Sequence, residues 1–290
     1  GYNAGRLVTT GTANTLIGGL AGDAITTQSN ITAVGNNALT ANTSGQRGTA
    51  VGSAALAGNT TGDYNTAVGF TALQANTTAD NNTAVGYAAL LANTTGIQNT
   101  AVGTFAGDAM TTAGGNTALG YNAMSACTTG GGNTAVGNVA MANGVVTGLY
   151  NTALGGGSLL VLTSGANNTG IGKDALAANT TGNNNVALGY TALGANTTGV
   201  ENIAIGKGAL DANTTANSNV GIGNNALGVN TTGASNVAIG SATLDANTTA
   251  SNNTAVGSSA LTANTIGAFN TALGRNAGTA NTTASRNTFV

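Results

Sequence analysis

The chain has 290 residues, among them 47 Gly but no Pro and no His; 3% are aromatic, 5% are charged, and the net charge is −2. That composition fits no ordinary globule, and at 41% hydrophobic residues it is too apolar for a typical disordered chain, so an ordered, compositionally biased array is expected. Six scattered cations cannot neutralise a row of phosphates, which argues against nucleic-acid binding, and Gly, Asn and Thr interrupt every apolar run well short of a helical membrane span.

From the first residue onward one phrase returns. Its closing glycine stands at Gly1, Gly18, Gly35, Gly52 and so on to Gly137, then from Gly155 to Gly274, at steps of 17 with a single step of 18 between Gly137 and Gly155. A fixed short period identifies a solenoid, in which each repeat is one coil stacked between two neighbours. The predicted fold class is therefore all-β, a parallel β-solenoid (β-roll) of about 17 coils, running as one continuous array over 1–290. Gly1 already closes a phrase and Val290 falls just before the next expected glycine. This suggests an uncapped segment of a longer protein, or a unit that stacks end to end.

With Asn65 as position one, the consensus coil reads Asn-Thr-Ala-Val-Gly-Tyr-x-Ala-Leu-x-Ala-Asn-Thr-Thr-Gly-x-x. The first element is a strand in which positions two and four share a side, as in Thr66 and Val68 or Ile203 and Ile205, and their β-branched character marks them as the core face. By that reading Val186, Ile203, Val220 and Val237 are core. The glycine at position five (Gly69, Gly86, Gly103) is invariant within the chain and marks a corner, with a positive φ or a backbone approach too close for a Cβ. Ala and Leu at positions eight and nine open a second apolar segment. Four coils carry Gly at position nine (Gly5, Gly22, Gly107, Gly278); Leu20 and Phe105 are placed to refill two of them, and the other two have no evident filler. A helix is rejected because only about four helix-compatible residues lie between the breakers, where about 12 are needed.

Equivalent side chains of stacked coils lie about 4.8 Å apart, so recurring polar residues form ladders. Asn at position one turns the chain and satisfies backbone groups at a corner. Asn at position twelve (Asn59, Asn76, Asn93, then Asn179, Asn196, Asn213) gives way elsewhere to Val8, Ile25, Met110, Cys127 and Leu162, which makes the position inward. Asn59-Thr60-Thr61 and its equivalents are formal glycosylation sequons, but a buried amide ladder is the better reading of them. Position thirteen is Thr in 16 of 17 coils. Threonine rows raise ice binding as a minor alternative, although adjacent Thr-Thr residues on an extended strand point to opposite sides.

The 14 charged residues avoid both apolar phrases. Position six collects Tyr87, Tyr121 and Tyr190 with Lys173 and Lys207, an exposed row and the candidate ligand surface. Catalysis is not expected: imidazole chemistry is missing, the eight carboxylates are dispersed, and no cofactor or metal motif occurs. The single Cys127 is read as a small apolar substitute at position twelve.

The phrases Asn236-Val237-Ala238-Ile239-Gly240 and Asn65-Thr66-Ala67-Val68-Gly69, each followed by Ala-Leu or Ala-Gly, resemble the head repeats of trimeric autotransporter adhesins. They are equally similar to the Asn-Thr-Ala-x-Gly-Tyr arrays of bacterial and phage tail-fibre-like proteins. The resemblance covers essentially the whole chain and implies parallel β-coils in a homotrimer or end-to-end filament, extracellular, on a cell surface, a secreted filament or a virion fibre. Adhesin head repeats are usually shorter than 17 residues, and no stalk, anchor or chaperone-like domain is present. The expected function is a non-enzymatic fibre subunit, a shaft, spacer or adhesive surface. The alternative is an adhesin module that binds a glycan or cell-surface receptor through the position-six row.

Overall fold

The computed structural model describes residues 1–290, which form two compact units, 1–147 and 148–290. Each unit is a parallel β-solenoid without helix. The first carries one three-residue strand per coil from β1 (Thr15–Ile17) to β8 (Thr134–Val136), and the second continues so from β9 (Thr152–Leu154) and ends in the two-residue β17 (Thr288–Phe289). Pairing is in register, Thr66 on Thr83, Ala67 on Ala84 and Val68 on Val85, so the 17-residue step carries every position onto its equivalent.

The strand parity reverses the sequence expectation. Position three, the small Ala67 or Ala187, is fully buried, whereas positions two and four point outward. Val186, Ile203, Val220 and Val237 are therefore not core. The physical reason is thickness. A Cβ built on Gly170, at position three, would lie 2.6 Å from Ser158 Oγ, and one on Gly221 would lie 3.2 Å from Leu210 Cγ. The opposite wall stands so near that Ala is the side chain that fits.

The second apolar segment is no strand but a chain of turns with repeated left-handed residues at positions seven, nine and seventeen, as at Thr71 (φ 54), Leu73 (φ 51) and Asn81 (φ 60). Left-handed backbone costs an L-residue about 1–2 kcal/mol, and it persists here because hydrogen bonds to both neighbouring coils hold it. Ala88 N–H donates to Phe70 O at 3.0 Å and Leu90 N–H to Ala106 O at 3.0 Å. The conformation turns the position-nine side chain into the interior, where Leu73, Leu90 and Leu193 are fully buried. Asn tolerates this region better than Ala and already occupies position seven at Asn122 and Asn225. Ala242→Asn (φ 51 at Ala242) is therefore expected to stabilise the second unit by about 1 kcal/mol, read as a higher urea midpoint in circular dichroism.

At the four position-nine glycines the vacated volume is filled from the core. Leu16 closes over Gly5, Leu16 and Ile25 over Gly22, Met110 over Gly107, and Phe289 with Leu261 over Gly278. Leu20 and Phe105 are not the fillers; Phe105 lies edge-on against the exposed Tyr87, with ring centroids 5.1 Å apart at 89°. Positions three, nine and twelve thus share one volume: Leu16 and Phe289 at three, and Val8, Ile25 and Met110 at twelve, adjoin glycine at nine, whereas Leu162 at twelve is buried together with Leu159 at nine.

Both asparagine ladders run through the interior, the position-twelve ladder as the sequence suggests and the position-one ladder beyond the corner role read for it. At position twelve Asn59 Nδ2 donates to Asn42 Oδ1 at 3.0 Å, Asn76 to Asn59 at 2.8 Å and Asn93 to Asn76 at 3.1 Å. Position one forms the second ladder, in which Asn65 Oδ1 accepts from Asn82 N–H at 2.9 Å. The two meet at the carbonyl of position fifteen: Ala79 O accepts from Asn65 Nδ2 at 2.7 Å and from Asn76 Nδ2 at 3.0 Å. Met110 offers no donor, so Asn93 Oδ1 ends its ladder buried and without a partner.

Candidate interaction surface

Three rows of exposed side chains follow from this coil. The first is the outward strand face. In the first unit position two is Thr in every strand from Thr15 to Thr134, beside Ile17, five valines and Leu119 at position four before Val136. In the second unit the face becomes wholly apolar over four coils, Val186/Leu188, Ile203/Ile205, Val220/Ile222 and Val237/Ile239, with Leu188 44% and Ile203 37% exposed. No charged residue occupies either position.

The second row is position six, set outward by the preceding corner glycine. In the first unit Phe70 and Tyr87 stack at 5.7 Å and 7°, with Phe105 against the edge of Tyr87. Tyr121 lies two coils beyond Tyr87 and is half exposed. In the second unit Lys173, Tyr190 and Lys207 occupy successive coils, and Lys173 Nζ lies 5.4 Å from the Tyr190 ring centroid while pairing with Asp174 Oδ2 at 2.6 Å. That hydrogen bond and charge hold the Lys173 ammonium above its ordinary range. Of the residues named for the position-six row, Tyr87 is brought against Phe70 in the first unit and Lys173 against Tyr190 in the second.

Sequence reasoning missed the third row, at position seventeen. Arg47 lies over the Tyr64 ring at 5.2 Å and Arg286 over Phe269 at 5.8 Å. The signal was available, since arginine and aromatic residues recur at that position one coil apart.

The position-thirteen threonines turn their hydroxyls to the next coil, Thr77 Oγ1 donating to Thr94 O at 3.1 Å, and the position-twelve sequon amides are buried in their ladder. Cys127 is fully buried, and burial pushes its thiol up to about 11. The surface carries no concave pocket, and no three potential metal-ligating groups stand together.

Asp108, Asp211 and Asp245 share position ten, where partial burial raises each carboxyl above the ordinary 3.8. A raised folded-state value means that the folded chain binds protons more readily than the unfolded one, so these groups disfavour folding at neutral pH and release that cost as pH falls through their raised values. Asp211→Asn with Asp245→Asn is expected to raise the urea midpoint at neutral pH and leave it unchanged below 3.8, the gain staying under about 1 kcal/mol per site because both carboxylates are partly solvated.

Compared with protein-family models, curated proteins and solved structures, the chain matches none.

Proposed function

We propose that the chain is a non-enzymatic structural subunit of an extracellular fibre or filament, associating with further copies of itself. The observation that carries this reading is the uncharged outward strand face, repeated in register by successive coils and most apolar between Val186 and Ile239. A repeated apolar face of this kind is unusual on a solitary soluble molecule and favours association. A homotrimer is the form that the resemblance to adhesin heads implies. Sedimentation velocity of the full chain should give an assembly of defined mass. Leu188→Lys with Ile203→Lys, both outward-facing, should dissociate it with the circular dichroism spectrum unchanged. A wild-type chain that sediments as a monomer at all concentrations would defeat the proposal.

The second reading, a glycan- or receptor-binding adhesin module, is favoured by the Lys173–Tyr190 contact, an aromatic face with an adjoining cation on an exposed edge. Tyr190→Ala should then remove glycan-array binding and leave assembly mass unaltered.

A further inference from the structure

Asn143-Gly144 is the one Asn-Gly pair in the chain, and it falls in the one coil that departs from the 17-residue step. Side chains alternate there, with Ala142, Gly144 and Val146 buried and Asn143 and Val145 exposed. Val146 anchors the segment through a parallel bridge with Cys127, and its carbonyl accepts from Thr128 N–H at 3.3 Å and Gly130 N–H at 3.2 Å. Nothing comparable holds Asn143. Its carboxamide makes no hydrogen bond, and neither does the N–H of Gly144.

The ladder asparagines are protected twice over. In the ladders each carboxamide is fixed, as for Asn196 Nδ2 to Asn179 Oδ1 at 3.0 Å and to Gly199 O at 3.1 Å, and the following residue is Thr, Val or Ile, whose branched Cβ hinders the next amide nitrogen. Asn217-Ser218, another exposed pair with a small second residue, has its carboxamide oxygen held by Val200 N–H at 2.8 Å.

We infer that Asn143 is a site of spontaneous backbone modification through an intramolecular imide. The Gly144 amide nitrogen gives up its proton to solvent base and attacks Asn143 Cγ. An N–Cγ bond forms, the Cγ–Nδ2 bond breaks and ammonia leaves, closing a five-membered succinimide. Water then adds to either imide carbonyl and reopens the ring, leaving aspartate or isoaspartate at position 143. One water is consumed and one ammonia released, with no change of oxidation state. Glycine suits the second position because no Cβ obstructs the attack. The product adds a negative charge, and the isoaspartate form adds a methylene to the backbone three residues before Val146. The modification therefore acts on the bonds that tie this coil to the preceding one, while the asparagine ladders stay intact.

The test is peptide mapping by mass spectrometry of the full folded chain aged in mildly alkaline buffer, with enzymatic methylation to detect isoaspartate. The expected result is isoaspartate accumulating at position 143 ahead of every other asparagine, severalfold faster than at Asn217, and abolished in Asn143→Gln, which cannot close the five-membered ring. A urea-unfolded sample aged in parallel separates intrinsic reactivity from the folded geometry. Reaction at 143 in the unfolded chain but not in the folded one would overturn the inference. So would aspartate without isoaspartate, the mark of direct hydrolysis, or a folded-state rate at 143 no greater than at Asn217.

Discussion

Alanine in place of Gly86 is expected to destabilise the first unit by about 3–5 kcal/mol, the combined scale of backbone strain and overpacking. Gly86 has φ 138, a region that L side chains avoid, and a Cβ there would stand 2.5 Å from Gly103 O and 2.6 Å from its carbonyl carbon. Neither partner can yield. Gly86 N–H donates to Val68 O at 2.8 Å and Gly103 N–H to Val85 O at 2.8 Å, so each corner is held by the coil before it and abutted by the coil after it. Gly48 provides the control. It has no positive φ, and a Cβ there would meet Leu39 Cδ1 at 3.4 Å, an ordinary contact. Gly48→Ala should be neutral or stabilising by about 0.5 kcal/mol through reduced unfolded-state entropy. Urea midpoints by circular dichroism measure both; equal midpoints for the two variants would show that the corner does not require glycine.

The second large effect is expected at the middle of the position-twelve ladder. Asn196→Ala removes the bonds to Asn179 Oδ1 and Gly199 O and the bond accepted from Asn213 Nδ2 at 2.9 Å. Gly199 O keeps its donor from Asn185 at 2.8 Å, and Asn213 keeps its bond to Ala216 O at 3.1 Å. The principal loss is a bare, fully buried acceptor on Asn179. With the bonds lost, the cost should be about 2–4 kcal/mol. Asn93→Ala should cost less, since Asn93 Oδ1 already faces Met110 without a donor. Removing Asn196 and Asn213 together should cost less than the sum of the single variants, because they share a bond. Strict additivity in that double-mutant cycle would show that the ladder has no cooperative component.

The period, the corner glycines and the inward position twelve were all legible in the sequence, because each rests on a residue type recurring at a fixed spacing. Strand parity was not. Val68 and Ile205 look like core by chemistry alone, and only the separation of the two walls, set by turns far from the strand in sequence, decides that Ala67 and Ala204 go inside. The left-handed run at positions seven and nine was hidden for a similar reason: Thr71 and Leu73 have no intrinsic preference for it, and hydrogen bonds to neighbouring coils impose it. The volume exchange was within reach, since Leu16 and Phe289, the large residues at position three, both adjoin coils with glycine at position nine. Of the candidate surface, the sequence placed Tyr87, Tyr190 and Lys173 outside but not the apolar strand face, whose residues it had assigned to the interior.

Every amide in the position-twelve ladder donates toward the lower-numbered coil, Asn76 to Asn59 and Asn213 to Asn196 alike, and the position-one ladder keeps the same sense from Asn82 to Asn65. Each stack is therefore an arrow. Parting two ladder coils would leave the ladder asparagines with bare oxygen acceptors on one side and their complementary N–H groups on the other, while the backbone bonds across the same plane run both ways. A coil offered upside down would set oxygen against oxygen, so lengthening such a column one coil at a time has a built-in direction, written in amides that never reach the solvent.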